Sequence, residues 1–325
     1  MENCTAINTT LQNGILLFQL IVYIPVLSFG FVLNTVAFWV FCCKLKSWTE
    51  TRVYMLNLVV TDCFLLFSLP FMIYFTNNKH PIDDLCFAVQ MIYFTNRPMS
   101  IYIIMLIAID RYIAIMFPLK AKTLRSPRKS AFVCGCLWII QIIYSYYQQE
   151  FQESEEKYCI QRLSTEPKYL TLVSISFGFF IPLIIIIFCS VKVIQCLKKK
   201  MASSFHETKL IQKALHIVSV NLCVFTICFS PIYITVLVRF IAEVAKACSP
   251  LSKIRIAIQI FSCLANINCC LDAFCYYFAA KEFQEFSSLA TSTCLLHTSR
   301  DSISLDSPFQ CLTTISMKKF SFHPI

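Results

Sequence analysis

Residues 53–76 read VYMLNLVVTDCFLLFSLPFMIYFT, an apolar run broken by one ionisable side chain, Asp62. About 20 such residues are what a helix needs to cross the hydrocarbon layer of a bilayer. Comparable runs lie near 15–43, 84–116, 130–149, 169–197, 209–241 and 254–278, so seven spans are expected. The whole chain agrees: 57% of its residues are hydrophobic and 14% charged, which is more apolar surface than one soluble core can bury. The bilayer is therefore part of its solvent.

The expected fold is an all-α membrane protein, a seven-transmembrane helix bundle followed by a short amphipathic eighth helix. In KEFQEFSSLA, Phe283, Phe286 and Leu289 or Ala290 repeat at helical spacing on one face, as in a helix lying on a membrane surface. The organisation read from this is an extracellular N-terminus at 1–14, a seven-span domain at 15–280, a surface helix at 281–290 and a disordered cytoplasmic tail at 291–325. The first ten residues, MENCTAINTT, have no basic region, so the run after them reads as a mature helix rather than a cleaved signal. Four glycines leave no room for Gly-rich phosphate loops or flexible linkers.

A net charge of +10 would point to nucleic acid on a soluble basic face, but here the lysines and arginines sit between apolar runs. They set orientation instead. The first, third and fifth connections carry Lys44, Lys46 and Arg52, then Lys120, Lys122, Arg125, Arg128 and Lys129, then Lys198, Lys199, Lys200, Lys209 and Lys213. The alternate connections carry Asp83, Asp84, Glu150, Glu153, Glu155 and Glu156. The positive-inside bias puts the N-terminus outside and the C-terminus in the cytoplasm. The sequons at Asn3 and Asn8 then fall outside, where they are candidates for glycosylation. Most of the cysteines lie within apolar runs as small apolar residues, and none has zinc-like spacing with histidine.

Polar residues inside spans each need a reason: Asn34, Asp62, Ser100, Asn268 and Asp272 all fall near the middle or inner half of a span. Separate helix–helix hydrogen bonds are the plain explanation. Together with Gly30–Asn34, Leu56–Asp62, Asp110-Arg111-Tyr112, Trp138, Pro182, Cys228-Phe229-Ser230-Pro231 and Asp272–Tyr276, they make the chain resemble the rhodopsin-like, class A G-protein-coupled receptors over residues 15–290. One short pattern falls on each of seven successive spans. The runs WVFCCKLKSWTETRVYMLNL, AKTLRSPRKSA and NCCLDAFCYYFAAKEFQE resemble more narrowly the branch that holds the purinergic and lysophospholipid receptors.

That resemblance implies a plasma-membrane receptor that is not an enzyme. It implies a disulfide between Cys86 and Cys159 and a second between Cys4 and Cys248. It implies activation through Asp110, Phe229, Pro231, Asp272 and Tyr276, with the bend at Pro231 letting the inner half of the sixth helix swing. Arg111 is expected to leave Asp110 on activation and, with Leu119, to meet a heterotrimeric G protein, of the Gi/o or Gα12/13 class. No cofactor is required, although Asp62, Ser100, Asn268 and Asp272 match the family's pocket for an allosteric Na⁺. The chain departs from the pattern at Phe229, where tryptophan is usual, at Ala273 for proline, at Ser190 for tyrosine, at Ile211 for an acid and at Cys269 for serine. In the tail, Ser299, Ser302, Ser304 and Ser307 are expected phosphorylation sites readable by arrestin, and Cys294 a palmitoylation site.

Arg97 is the most informative residue. It lies eleven residues beyond Cys86, about 16 Å below the outer surface at 1.5 Å per residue. A guanidinium there needs a wet cavity or a counter-anion. With Arg162, Arg239 and Arg255 it outlines a cationic funnel, beside which Tyr93, Phe94, Tyr102 and Tyr233 would form an apolar wall. Guanidinium groups bind carboxylate or phosphate bidentately, so a small anionic ligand is expected, an organic acid or a lysophospholipid. The position that holds aspartate in amine receptors matches Tyr93, and no lysine lies between Lys253 and Lys281 to form an opsin's Schiff base. A secondary transporter of organic anions is the alternative from another class, but its internal repeats are absent from the sequence.

The topology is open to direct test. A tag before Cys4 should bind antibody on intact cells, and one after Ile325 only on permeabilised cells; the reverse pattern refutes the orientation.

Overall fold

The computed structural model describes residues 9–44, 48–78, 80–117, 121, 125–153, 158–159, 166–203 and 208–298, as backbone alone at 274–298 and at several helix ends. Helix α1 is Thr9–Trp39, widening into a π-helical Val40–Lys44. Helices α2, α3 and α4 are Glu50–Asn78, Asp84–Met116 and Pro127–Glu153. Helix α5 is Leu170–Ile175, a π turn Ser176–Phe180, then Ile181–Ser203. Helices α6 and α7 are Thr208–Val244 and Cys248–Thr298. Among the described residues, seven helices are long and apolar enough to cross a membrane, as expected.

The helices close into a bundle: α1 packs on α2 and α7, α6 on α5 and α7, and α3 touches α2, α4 and α5. Large apolar side chains such as Phe31, Phe132 and Ile184 remain exposed on its outside, where lipid takes the place of a second protein layer. Inside, one apolar cluster fills the α1–α2–α3–α7 side around Leu66, Leu69, Phe75 and Tyr93. A second joins α1 to α4 around Phe41, Leu58, Met99 and Cys134. A third fills the α3–α5–α6 side around Ile101, Phe179, Phe225 and Phe229.

Helix α1 comes closest to its neighbours at Gly30, where an added Cβ would sit 2.8 Å from Leu66 Cδ2 and 3.3 Å from Cys270 Sγ. One turn on, the Asn34 amide donates to the Gly30 and Cys269 carbonyls, at 3.0 and 3.1 Å, and so ties α1 to α7. The π turn of α5 ends beside Pro182, whose missing N–H and bulky ring disrupt an ordinary α turn. Its wide turn exposes the Phe177 carbonyl, which accepts a hydrogen bond from Tyr102 at 3.3 Å.

The expected surface helix differs in form. Residues 281–290 are helical but continue α7 without a break as far as Thr298, so the first residues of the expected tail are helical too. The segment after Asp272 contains neither glycine nor proline before Pro308, and Ala273 stands where the family's proline would end the regular helix. Ser299, Ser302, Ser304, Ser307 and the rest of the tail lie outside the described residues.

At the outer end of α3, the Asp83 carboxylate caps the helix by accepting from the Cys86 N–H at 2.8 Å. That bond, followed by His80 at 3.0 Å, holds its carboxyl below the usual carboxylate range. The Cys159 N–H donates to the His80 carbonyl at 2.8 Å, and Cys86 and Cys159 are joined by a disulfide with Cα atoms 6.0 Å apart. Both are fully buried. Cys248 is disulfide-bonded as well; Cys4, like Asn3 and Asn8, lies outside the described residues.

Cys86→Ser or Cys159→Ser should therefore destabilise the protein by about 2–5 kcal/mol. A thermal unfolding curve in detergent that matches wild type would refute this.

Candidate functional site

Two polar regions sit in the bundle, one in the half that carries the Cys86–Cys159 disulfide, expected to be the outer one, and one in the opposite half. The outer one is built on Arg97, partly buried on α3. Its Nη2 donates to Tyr93 Oη at 2.6 Å, one turn earlier on the same helix, and its guanidinium lies 5.1 Å from the Tyr93 ring centroid. Tyr93 Oη also accepts from the Asn266 amide of α7 at 3.2 Å, and the same amide donates to Tyr23 Oη of α1 at 3.0 Å. The chain Tyr23–Asn266–Tyr93–Arg97 thus spans three helices and fixes the guanidinium from one side. Among the described residues no carboxylate lies within ion-pair distance of Arg97.

The other expected cations behave differently. Arg239 is already matched, its Nε 2.7 Å from Glu243 Oε1, and that glutamate is 1% exposed. Sequence inspection missed Glu243 because a lone acid one turn from a helix end looks like an ordinary interfacial residue. Arg255 is partly buried near the start of α7, and Arg162 lies outside the described residues. Of the four expected cations, Arg239 is thus matched by a neighbour on its own helix.

Of the expected aromatic wall, Tyr93 and Tyr233 lie beside Arg97. Tyr233 stacks on Phe179, ring centroids 4.5 Å apart, close enough to Arg97 to interact with its charge. Phe94 is more than one-third exposed, and Tyr102 bonds the α5 backbone instead. Phe225 packs on Phe229 at 5.3 Å, near Pro231 inside α6.

The inner region runs down the bundle axis. Asp62 and Asn268 are 1% and 3% exposed, and Asn268 Nδ2 donates to Asp272 Oδ2 at 2.6 Å. Ser100 Oγ donates to Thr61 Oγ1 at 3.2 Å. Asp62 Oδ2, Asn268 Oδ1 and both amide atoms of Asn96 are buried without a hydrogen-bond partner. Asn96 lies one turn above Ser100 on α3, a position that the polar pattern of the sequence alone did not single out. Deeper still, a cavity of about 50 Å³ is lined by Arg111, Ser190, Asn221, Phe225, Asn268 and Asp272.

Asp110 and Arg111 are not paired. The Asp110 carboxylate accepts Arg125 Nε and Nη2 at 2.7 and 2.9 Å and Thr51 Oγ1 at 2.9 Å, while Arg111 turns to the cavity. The expected contact between the two is replaced because Arg125, just before α4, offers both Asp110 oxygens a better-placed fork. Leu119 lies outside the described residues, and at Tyr276 and Cys294 only the backbone is described.

Seven apolar helices carry these polar residues in the order met above. The sequence pattern of the 7 transmembrane receptor (rhodopsin family) matches residues 33–276. The chain belongs to that family. It is 39% identical over 302 residues to G-protein coupled receptor 35 of Mus musculus, covering 92% of this chain and 98% of that one. With the Homo sapiens protein of the same name it shares 41% over 278 residues, 85% and 89% of the two chains. Lysophosphatidic acid receptor 4 of Homo sapiens is 33% identical over 302 residues, 88% and 81% of the two. The chain is thus a multi-pass plasma-membrane receptor that signals through heterotrimeric G proteins, not an enzyme.

Proposed function

We propose that this receptor binds a small anionic ligand, an organic acid or a lysophospholipid, from the outside of the cell. In this reading Arg97 is the ligand's counter-ion and Tyr93 its positioning partner. One observation carries it: Arg97 sits about 16 Å deep, held by Tyr93 yet without a carboxylate among the described residues, whereas Arg239 has one at 2.7 Å. A guanidinium in so poorly hydrated a place retains its binding capacity for an anion. The likeness to lysophosphatidic acid receptor 4, whose named ligand is a phosphate monoester, supports the same chemistry.

The signal would then pass to the Phe225–Phe229 contact and to Pro231 of α6, and Arg111 would meet the Gα subunit at the inner end. Gi/o or Gα12/13 is the proposed partner class. A panel of organic acids and lysophospholipids read through several Gα chimaeras tests both halves.

The inner polar residues further fit a bound Na⁺. A hard cation takes oxygen donors, and Asp62 Oδ2 and Asn268 Oδ1 are two buried oxygens without partners, with the Asn96 side-chain oxygen a third. Asp62, Ser100, Asn268 and Asp272, joined by Asn96, would hold the ion, which would favour whichever state keeps them together. Replacing NaCl by choline chloride should lower the unfolding temperature of wild-type receptor in detergent but leave Asp62→Ala unmoved. Equal wild-type curves in the two salts would refute a sodium site.

For the ligand, Arg97→Ala should remove a contact on the order of 2–5 kcal/mol, raising the half-maximal concentration of an acid agonist about thirty-fold or more. Arg97→Lys should fail too, since a point charge does not reproduce the planar fork. Acid and neutral agonists are compared on receptors matched for surface level. An acid agonist that keeps its potency on Arg97→Ala would remove the counter-ion role.

A further inference from the structure

Arg125, in the segment that leads into α4, faces two acids at once. Its Nε and Nη2 hold both oxygens of Asp110 at 2.7 and 2.9 Å, and its Nη2 lies 3.3 Å from Glu50 Oε2. The Asp110 side chain is 5% exposed, Glu50 15% and Arg125 23%. The segment is built to deliver it: the Ala121 N–H donates to the Phe117 carbonyl and the Arg125 N–H to that of Ala121, at 2.8 and 2.9 Å. These two bonds tie Arg125, through Ala121, to the end of α3. Thr51 completes the arrangement by donating to Asp110 Oδ2 at 2.9 Å.

With Arg125 on both oxygens and Thr51 on one, Asp110 offers no well-placed acceptor to its neighbour in sequence, Arg111, although the two remain close enough to interact electrostatically. Arg111 lines the inner cavity with Ser190, Asn221 and Asp272 instead. If Arg125 were removed, two poorly exposed carboxylates would be left without their shared cation, and Arg111 is the adjacent positive charge. We propose that Arg125 is a positioning residue for coupling: by occupying Asp110 it keeps Arg111 directed into the cavity, available to a Gα subunit. Only the planar fork of arginine satisfies both carboxylate oxygens side-on while reaching a second acid. The proposal rests on the coupling role given above to Arg111.

The test uses full-length receptors in membranes at matched surface level, with an excess of purified heterotrimer and no agonist, read as guanine-nucleotide exchange. Arg125→Ala should lower exchange at least threefold, because Asp110 then captures Arg111. Arg125→Lys should recover it only in part. Adding Asp110→Asn to Arg125→Ala should restore exchange to the wild-type level or above, since a neutral amide no longer holds Arg111. A merely structural role for Arg125 predicts no such rescue. Should the alanine variant not reach the membrane, Arg125→Gln, which keeps the stem, enters the same comparison. Unchanged exchange in the single variant, from whatever starting level, or a double variant as low as the single one, overturns the proposal. Arg111→Ala separates the two readings. Full exchange in that variant overturns the coupling role and the proposal with it, whereas low exchange together with an unrescued double variant overturns the proposal alone.

Discussion

Inside a bilayer no water is available to complete a hydrogen bond, so each polar side chain between the helices must be met by another part of the protein. That requirement organises this receptor more than any apolar contact, because Leu or Phe gains little by leaving lipid for protein. Asn34 joins α1 to the α7 backbone, Trp138 joins α4 to Asn57 of α2 at 3.2 Å, and Ser100 joins α3 to Thr61 of α2. Tyr23, Asn266 and Tyr93 close the ring between α1, α7 and α3. The apolar clusters then fill the space these bonds define.

The proposed function rests on places where the requirement is only half met. Arg97 is bonded on one side; Asp62, Asn96 and Asn268 keep buried atoms without partners. A soluble core would lose stability at each. Under the proposed function these groups await a ligand or an ion, and the energy released on binding would bias one conformation over another. The aromatic contacts Tyr233–Phe179 and Phe225–Phe229 lie between the outer and the inner polar groups, so movement at one end need not cross a gap to reach the other.

The family's charged pair at the inner end of α3 takes another form here. Asp110 is satisfied from outside α3 by Thr51 and Arg125, and Arg111 points inward. Basic residues in that connection therefore have two different jobs. Arg128 and Lys129 are exposed and suit anionic lipid, while Arg125 is partly buried and committed to two acids.

The sequence by itself determined the seven spans, their expected sidedness and the depth of Arg97. All three follow from hydropathy, loop charge and helical rise, which act along the chain and need no knowledge of neighbours. It also placed Asp62, Ser100, Asn268 and Asp272 in one class of residue, since ionisable and amide groups in apolar runs are conspicuous. Only the tertiary structure decided which of these groups are satisfied. Glu243 neutralises Arg239, Arg125 takes Asp110 and Asn96 is left bare, and the helix through 281–290 runs on from α7. Partner choice depends on where side chains from different helices meet. A hydrogen bond or ion pair ends within about 3–4 Å, so residues far apart in sequence can satisfy one another while adjacent ones, such as Asp110 and Arg111, do not.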